Sequence, residues 1–487
     1  MTSLPQAQAP ARLESRTRLV IALLLASAFV LILNETIMGV ALSHIMTGLS
    51  IEAATAQWVT TAFMLTMAVV IPITGFLLQR LSTRTIYCTA MISFSLGTLI
   101  CAISPTFAIL VSGRVVQAVG TAMMMPLLMT TVMQLVPALR RGRVMGNISI
   151  VMSVAPAIGP AVSGLILSRL DWRGIFWVVL PLVLVMLVVG IMRVPNVSEP
   201  RRLRLDVGSV ILSALGFGGL IFGLSSIGES VYHPPAVSPA VPIGVGLLSL
   251  VLFAFRQRTL QRTDDALLDL RTFSSRTFTF SILVMLVLMG ALFGTIILLP
   301  LYLQDALNLE SLQTGLLLVP GGLTMGLMGP LVGRLFDRWG PRPLVVPGTT
   351  LVALALALMT QLDETSGGGT VLALHVLLSI GLALTFTPLF TSALGALKPH
   401  LYSHGSATIG TVQQLAGAAG TALFVVLMVS RQVALESAGV PEPAALASGV
   451  GVAFVAGAVL AALAIPLAAM IRKPVDAVEP VDAPVAH

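Results

Sequence analysis

Long apolar runs separated by short polar segments make up almost the whole chain. Each run holds about 20 residues, the length at which an α-helix crosses the hydrocarbon core of a bilayer. The segments between the runs are too short to hold a folded soluble domain. The pattern predicts fourteen transmembrane helices, over residues 18–42, 56–78, 85–103, 107–136, 145–168, 174–193, 207–227, 237–255, 277–300, 313–333, 343–361, 370–396, 406–429 and 446–470.

Composition indicates the same class of protein. Of the 487 residues, 56% are hydrophobic and only 10% are charged, whereas a soluble domain carries about 25% charged residues. The net charge of +7 does not indicate a nucleic-acid surface, because the basic residues lie in short loops between the apolar runs. We therefore predict an all-α integral membrane protein that binds no nucleic acid.

The basic residues also predict the orientation of the helices. If the N-terminus is cytoplasmic, the inner segments hold 23 basic residues, and the outer loops hold only Arg169, Arg173 and Arg431. Cytoplasmic loops of membrane proteins are enriched in Lys and Arg. The distribution therefore predicts that both termini lie in the cytoplasm.

The sequence lacks the motifs of common enzyme and metal sites. It contains no HExxH zinc motif, no GxxxxGK[ST] phosphate loop and no Ser/His/Asp set within the apolar runs. The two cysteines, Cys88 and Cys101, match neither a disulfide framework nor a zinc site. We expect no metal ion, no cofactor and no enzymatic activity.

The chain contains an internal repeat. Residues 75–84 and 333–342 share a glycine, a leucine and two arginines at an offset of 258, each after the end of an apolar run. Residues 114–120 and 375–381 align at an offset of 261. Six helices with short loops take about 200 residues. The offset of 258 exceeds this length by roughly 60 residues. The excess indicates that two further helices are inserted between two six-helix halves.

Several motifs resemble those of one known family, and they cover the chain from about residue 15 to residue 472. They are the stretch 33–42 in the first span, the two repeated segments, Arg114–Gly120, the segment 155–164 (APAIGPAVSG) and Asp171-Trp172-Arg173. Together they resemble a fourteen-helix drug:proton antiporter of the major facilitator superfamily. With the repeat, this predicts two six-helix bundles, at residues 1–196 and 263–473, and an insert at 197–262. The polar, proline-rich composition of residues 474–487 predicts a disordered cytoplasmic tail.

Within that family, the chain resembles the lincomycin-resistance branch. Most members carry an aspartate where this chain has Asn34, and the triplet Asn34-Glu35-Thr36 and the segment 55–61 are similar to that branch. Two positions depart from the family pattern. Gln79 replaces the usual aspartate of the first repeated segment, and Ala155 replaces a frequent glycine. The first departure removes a charged latch from the N-terminal half, whereas Asp337 retains one in the C-terminal half.

Glu35 and Arg114 are the charged residues that lie clearly inside the predicted spans. Charge within a bilayer is costly and commonly functional. Both residues lie about 10 Å below the outer surface at 1.5 Å rise per residue, so they can face each other. A change in their separation would change the proton affinity of the carboxyl group. The hypothesis is that this pair couples transport to protons. The alternatives are an ion pair that only joins two helices, or an Arg114 whose guanidinium is satisfied by carbonyl groups.

The remaining candidates fall into three groups. Small residues and prolines of the antiporter signature permit close packing and bending of the fifth span: Pro156, Gly159, Pro160 and Gly164. Polar residues within the spans are candidates for the substrate cavity: Asn34, Thr36, Gln57, Gln117, His375 and Gln413. The repeated segments are candidates for a cytoplasmic gate: Gly75, Arg80, Arg84, Gly333, Asp337, Arg338 and Arg342.

The sequence and the resemblance together predict a transporter. We expect a multi-pass, monomeric protein of the bacterial cytoplasmic membrane that exports amphipathic drugs, neutral or monocationic, in exchange for protons. The alternatives are a narrow exporter of one antibiotic or endogenous metabolite, and a membrane receptor or scaffold that transports nothing.

Overall fold

The computed structural model describes residues 15–197, 200, 203–229 and 237–473. All regular secondary structure in these ranges is helical, and fourteen helices are long and apolar enough to cross a membrane. They are α1 (Ser15–Leu49), α2 (Ala53–Arg80), α3 (Thr83–Ala102), α4 (Phe107–Leu135), α5 (Arg141–Leu167), α6 (Arg173–Arg193), α7 (Val207–Ser213, continued through a π-helical turn, Ala214–Gly218, into Gly219–Glu229), α8 (Ala240–Leu260), α9 (Arg276–Leu301, extended by a π-helical turn, Tyr302–Ala306), α10 (Ser311–Trp339), α11 (Arg342–Met359), α12 (Gly368–Gly395), α13 (Tyr402–Ser437) and α14 (Glu442–Ala469).

The predicted all-α fold and the fourteen spans are confirmed, although several helices are longer than their apolar runs. The span predicted at 18–42 is helical from Ser15 to Leu49, and the span predicted at 406–429 is helical from Tyr402 to Ser437. An apolar run identifies only the part of a helix that lies in the hydrocarbon core of the bilayer. The helix continues into polar sequence because its backbone hydrogen bonds persist there. The predicted tail at 474–487 lies outside the described residues.

The helices form two groups that meet along two pairs of helices. In the first group α1 packs on α4, α5 and α6, and α3 packs on α4 and α6. In the second group α9 packs on α12, α13 and α14, and α11 packs on α12 and α14. The groups contact each other mainly through α5 with α10 and α2 with α13. The exact domain boundaries proposed from the sequence remain a prediction.

Helices α7 and α8 form a hairpin that lies against both groups. They pack on each other, and α7 also contacts α2 and α13. At the start of α7, Asp206 accepts a hydrogen bond from the backbone N–H of Ser209 at 2.8 Å. The same carboxylate accepts two hydrogen bonds from the Arg256 guanidinium on α8, at 2.6 and 2.7 Å. This bidentate pair joins the two arms of the hairpin.

The two helix groups are closed against each other at one end of the bundle. We define the basic end as the end at which α2, α4 and α10 finish and α3, α5 and α11 begin. Near this end every residue of α13 from 402 to 409 is buried. Towards the opposite end, a Cβ added at Gly39, Gly164 or Gly315 would meet nothing within 4 Å. The two helix groups are therefore closely packed at the basic end.

Candidate transport site and gate

Arg114 on α4 is the centre of a buried polar network between α1, α2, α3 and α4. Its side chain is 1% exposed. Its Nη1 donates to the Gln117 side-chain oxygen at 2.8 Å and to the Asn34 side-chain oxygen at 3.3 Å. Its Nε donates to the Val59 carbonyl at 3.4 Å, and its Cζ lies 4.1 Å from the centre of the Phe63 ring. Neutral oxygens and a π face therefore solvate this cation.

The network extends from Gln117 to α3. The Gln117 amide donates to the Thr98 hydroxyl at 2.7 Å, and that hydroxyl donates to the Phe94 carbonyl at 2.7 Å. Gln117 and Thr98 are both fully buried. The position of Gln117 is thus fixed by partners on both sides, and it in turn fixes the guanidinium of Arg114.

Glu35 lies beside this network without joining it. Its side chain is half-buried, and among the described residues no Lys or Arg nitrogen lies within 4.0 Å of its carboxylate. Glu35 and Arg114 are close enough to interact electrostatically. In this structure Asn34, the residue before Glu35, bonds to the guanidinium. Consecutive residues of a helix differ in direction by about 100°.

The antiporter signature on α5 packs against α1 at the level of Glu35. A Cβ at Gly159 would meet Thr36, whose Cβ lies 2.9 Å from that position. The Ser163 hydroxyl donates to the Ile37 carbonyl at 3.2 Å. Gly159 is therefore needed for the close approach of α5 to α1. In contrast, Gly164 and Pro160 are exposed, and Pro156 is half-buried.

The other predicted cavity residues lie on three further helices. Gln57 is exposed near the start of α2, two residues from the Val59 carbonyl that binds Arg114. Gln413 is half-buried in α13. His375 on α12 packs against α10, because a Cβ at Gly321 would collide with its ring. Its Nδ1 is buried without a hydrogen-bond partner among the described residues.

Asp337 connects the two halves at the basic end. Its two carboxylate oxygens accept hydrogen bonds from the backbone N–H groups of Gly142, at 2.8 Å, and Arg143, at 3.0 Å. These amides belong to the first turn of α5, where backbone N–H groups have no partner within the helix. Beside this contact, a Cβ at Gly333 would meet the Gly142 carbonyl and would lie 3.1 Å from the Arg143 Cα.

The second contact between the halves joins α2 to α13. The Gln79 amide donates to the His400 carbonyl at 3.1 Å and to the Ser403 hydroxyl at 3.0 Å. One turn earlier, a Cβ at Gly75 would lie 3.0 Å from the Ala407 Cβ. The contacts of Asp337 and Gln79 with the opposite half are called the basic-end gate below. In this gate the charged Asp337 carboxylate accepts hydrogen bonds from α5, and the neutral Gln79 amide donates hydrogen bonds to α13 and the turn before it.

Several predicted gate residues lie outside these contacts. Arg84 donates to the Ile191 carbonyl at 2.5 Å, and Arg342 donates to the Ile471 carbonyl at 3.2 Å, so each bonds within its own half. Arg80 and Arg338 are exposed. The repeated segments thus contribute Gly75, Gln79, Gly333 and Asp337 to the interface, whereas their arginines make none of these contacts.

Two contacts across the gate were missed by sequence analysis. The Ser149 and Thr387 hydroxyls are 2.6 Å apart, and the Thr130 hydroxyl donates to Ser406 at 3.0 Å. Ser and Thr within helices commonly bond their own backbone carbonyls. Their positions in sequence therefore gave no signal that these four meet across the interface.

A helical membrane bundle with a buried arginine network and a closed gate at one end is the architecture of a transporter. The chain belongs to the major facilitator superfamily, which matches residues 24–421. It is 42% identical over 460 residues to the lincomycin resistance protein LmrB of Listeria monocytogenes, covering 93% of this chain and 96% of that protein. It is 32% identical over 402 residues to a multidrug resistance protein B homolog of Mycobacterium tuberculosis, covering 81% and 73%.

Solved structures show the same fold at low sequence identity. The human organic anion transporter MFSD10 superimposes with a TM-score of 0.65 at 16% identity, covering 93% of this chain and 99% of that one. The proton:xylose symporter XylE gives a TM-score of 0.61 at 14% identity, covering 93% and 97%. The protein is thus a multi-pass membrane transporter and not an enzyme.

Proposed function

We propose that the protein exports amphipathic drugs, neutral or monocationic, in exchange for protons, and that Glu35 carries the proton. The supporting observation is the half-buried Glu35 carboxylate, which has no cation within 4.0 Å in the described structure and lies beside the fully buried Arg114. An acid so placed, without a salt-bridge partner, can bind a proton.

The relatives support drugs as the substrate class. One is named a lincomycin resistance protein and another a multidrug resistance protein homolog. The antiporter signature packs Gly159 against Thr36, next to Glu35. Movement of α5 during the transport cycle would therefore move α1 and change the distance between Glu35 and Arg114. The proton affinity of the carboxyl group depends on that distance.

The proposed cycle alternates between two accessible states. We assign the basic end to the cytoplasm, with both termini on that side of the bacterial inner membrane and a monomer as the working unit. In the described state, Glu35 binds a proton from outside and the drug leaves. In the opposite state, approach of Arg114 favours loss of the proton to the cytoplasm as a new drug molecule binds. Each ligand thereby shifts the affinity for the other.

The test uses purified protein in liposomes, with proton movement measured when lincomycin, ethidium or a quaternary ammonium compound is added. Wild type is compared with Glu35→Gln, and Glu52→Gln serves as the matched control because Glu52 is exposed at the far end. We expect several compounds to move protons in wild type and Glu52→Gln, and none to do so in Glu35→Gln.

The other outcomes separate the alternatives. A response to one compound alone would favour a narrow exporter. Full proton exchange in Glu35→Gln would reject the role of Glu35. Drug transport that persists without proton movement in wild type would reject proton coupling and retain drug export.

A further inference from the structure

A cavity lies at the basic end, in the C-terminal half. It has a volume of about 310 Å³ and is lined by Arg276, Thr277, Phe280, Arg342, Met470 and Arg472. These residues come from the start of α9, the start of α11 and the end of α14 with the residues that follow it. The Glu35–Arg114 site is formed by α1, α2 and α4, so the cavity is separate from it. We call it the arginine pocket.

The charged side chains that line the arginine pocket are all positive. No acidic side chain lines it, and within the described residues no carboxylate lies within 4.0 Å of its three arginines. Arg342 donates through Nε to the Ile471 carbonyl, and its remaining nitrogens are free to bind another acceptor. The three guanidinium groups are exposed and surround one cavity, an arrangement that favours binding of an anion among them.

The pocket continues into an apolar surface. On α9, Phe280 lines the pocket, and Leu283, three residues further along the helix, is 41% exposed. On α14, Met470 lines the pocket, and Leu463, two turns earlier, is 64% exposed. Spacings of three, four and seven residues place side chains on one face of a helix. Because α9 and α14 pack side by side, their apolar faces run from the pocket into the membrane.

We propose that the arginine pocket binds the phosphate of an anionic phospholipid, whose acyl chains lie along α9 and α14. A phospholipid joins an anionic group to apolar chains, and the site joins a cationic cavity to an apolar surface. Basic pockets at the cytoplasmic side of transmembrane helices suit such headgroups. A free anion would contact the arginines but would make no contact with Phe280, Met470 and the apolar faces of the two helices.

The site is also connected to the basic-end gate. Arg342 opens α11 two residues after Gly340, and a Cβ at Gly340 would lie 3.4 Å from the Lys473 side chain. Asp337, which bonds to α5, is in the last turn of α10 just before this link. A phosphate held by Arg342 and Arg472 would therefore fix the segment that positions Asp337.

The test measures lipid binding to the full chain by native mass spectrometry after delipidation in detergent. Phosphatidylglycerol and zwitterionic phosphatidylcholine are added at equal concentrations. The double variant Arg276→Gln/Arg472→Gln is compared with Arg258→Gln/Arg262→Gln, which removes two exposed arginines at the end of α8. A basic side chain at an anionic surface changes binding by about fivefold. We expect the pocket variant to lose at least that factor for phosphatidylglycerol and the control to retain binding.

A third variant separates the pocket from its charge. Thr277→Phe fills the cavity and keeps all three arginines, and we expect it to lose phosphatidylglycerol to a similar extent. Wild-type binding in Thr277→Phe would overturn the proposal. So would equal losses in the two arginine pairs, equal binding of phosphatidylcholine, or full displacement of the lipid by inorganic phosphate, which would indicate a free-anion site.

The acidic residues that follow Arg472 provide the last control. Asp476→Asn, Glu479→Gln and Asp482→Asn are combined in one variant. If wild type binds no phosphatidylglycerol and this variant does, the tail of the chain occupies the pocket and the proposal is wrong. We expect equal binding in both. Monodisperse elution and an unchanged unfolding temperature establish that each variant is folded before binding is compared.

Discussion

Asp337 of α10 accepts hydrogen bonds from the backbone of Gly142 at 2.8 Å and of Arg143 at 3.0 Å, so a carboxylate of one half caps a helix of the other half. This contact can exist only while the two halves touch at the basic end. It therefore stabilises the state in which the basic end is closed.

Replacement of Asp337 is expected to open the basic end. Asp337→Ala removes both acceptors, and loss of a helix cap costs about 1–2 kcal/mol. The ratio of the closed state to the open state should fall by roughly tenfold. Ser149→Cys, placed at the contact with Thr387, would then react faster with a polar maleimide in the Asp337→Ala background. Arg338→Ala, which alters an exposed neighbour, should leave the labelling rate unchanged, and equal acceleration in both would contradict the role of the cap.

Two glycines of the antiporter signature should differ in their tolerance of alanine. A Cβ at Gly159 would meet Thr36, whereas a Cβ at Gly164 would meet nothing within 4 Å. Overpacking of a tight contact costs about 1–3 kcal/mol. We expect Gly159→Ala to reduce drug transport in liposomes by about tenfold or more and Gly164→Ala to retain it. Similar activity in the two variants would show that α5 does not need close contact with α1.

Gln117 is expected to be important for stability because it supports Arg114. Gln117→Leu leaves the Arg114 guanidinium and the Thr98 hydroxyl each with one partner fewer in a buried site. An unsatisfied buried polar group costs about 1–3 kcal/mol. The unfolding temperature in detergent should therefore fall. Gln413→Leu changes a half-buried glutamine on α13 and should have a smaller effect. If Gln413→Leu lowers the unfolding temperature as much as Gln117→Leu does, the network around Arg114 makes no particular contribution to stability.

The hairpin should lose stability in acid through Asp206. Hydrogen bonds from Arg256 hold the pKa of the Asp206 carboxyl well below its usual range. The unfolded carboxyl titrates near pH 4, so this contribution is complete above that pH and is lost as the pH falls towards the depressed pKa. Asp206→Asn should lower the unfolding temperature at neutral pH and weaken its decline in acid. Asp305→Asn, at an exposed site, serves as the control, and a decline in Asp206→Asn as steep as that of wild type would contradict this account.

Much of the fold was predictable because its signal is local. Fourteen apolar runs are long enough to cross a bilayer, and each forms a helix in the structure. Glu35 and Arg114 could be singled out because an ionisable residue in such a run is costly and therefore rare. The resemblance to the major facilitator superfamily, carried by short motifs, is confirmed by the match over residues 24–421. The proposed role of Glu35 and Arg114 in proton coupling stays a prediction.

The sequence alone determined which segments cross the membrane, which charges lie within them and where the chain repeats. Only the tertiary structure decided which side chains meet. Asn34, and not Glu35, bonds to Arg114, because neighbouring residues of a helix point in different directions and the packing of α1 selects one of them. The pairing of Gln79 with Ser403 joins residues far apart in sequence. Contacts of this kind depend on the relative placement of two helix groups, which no local pattern of residues encodes.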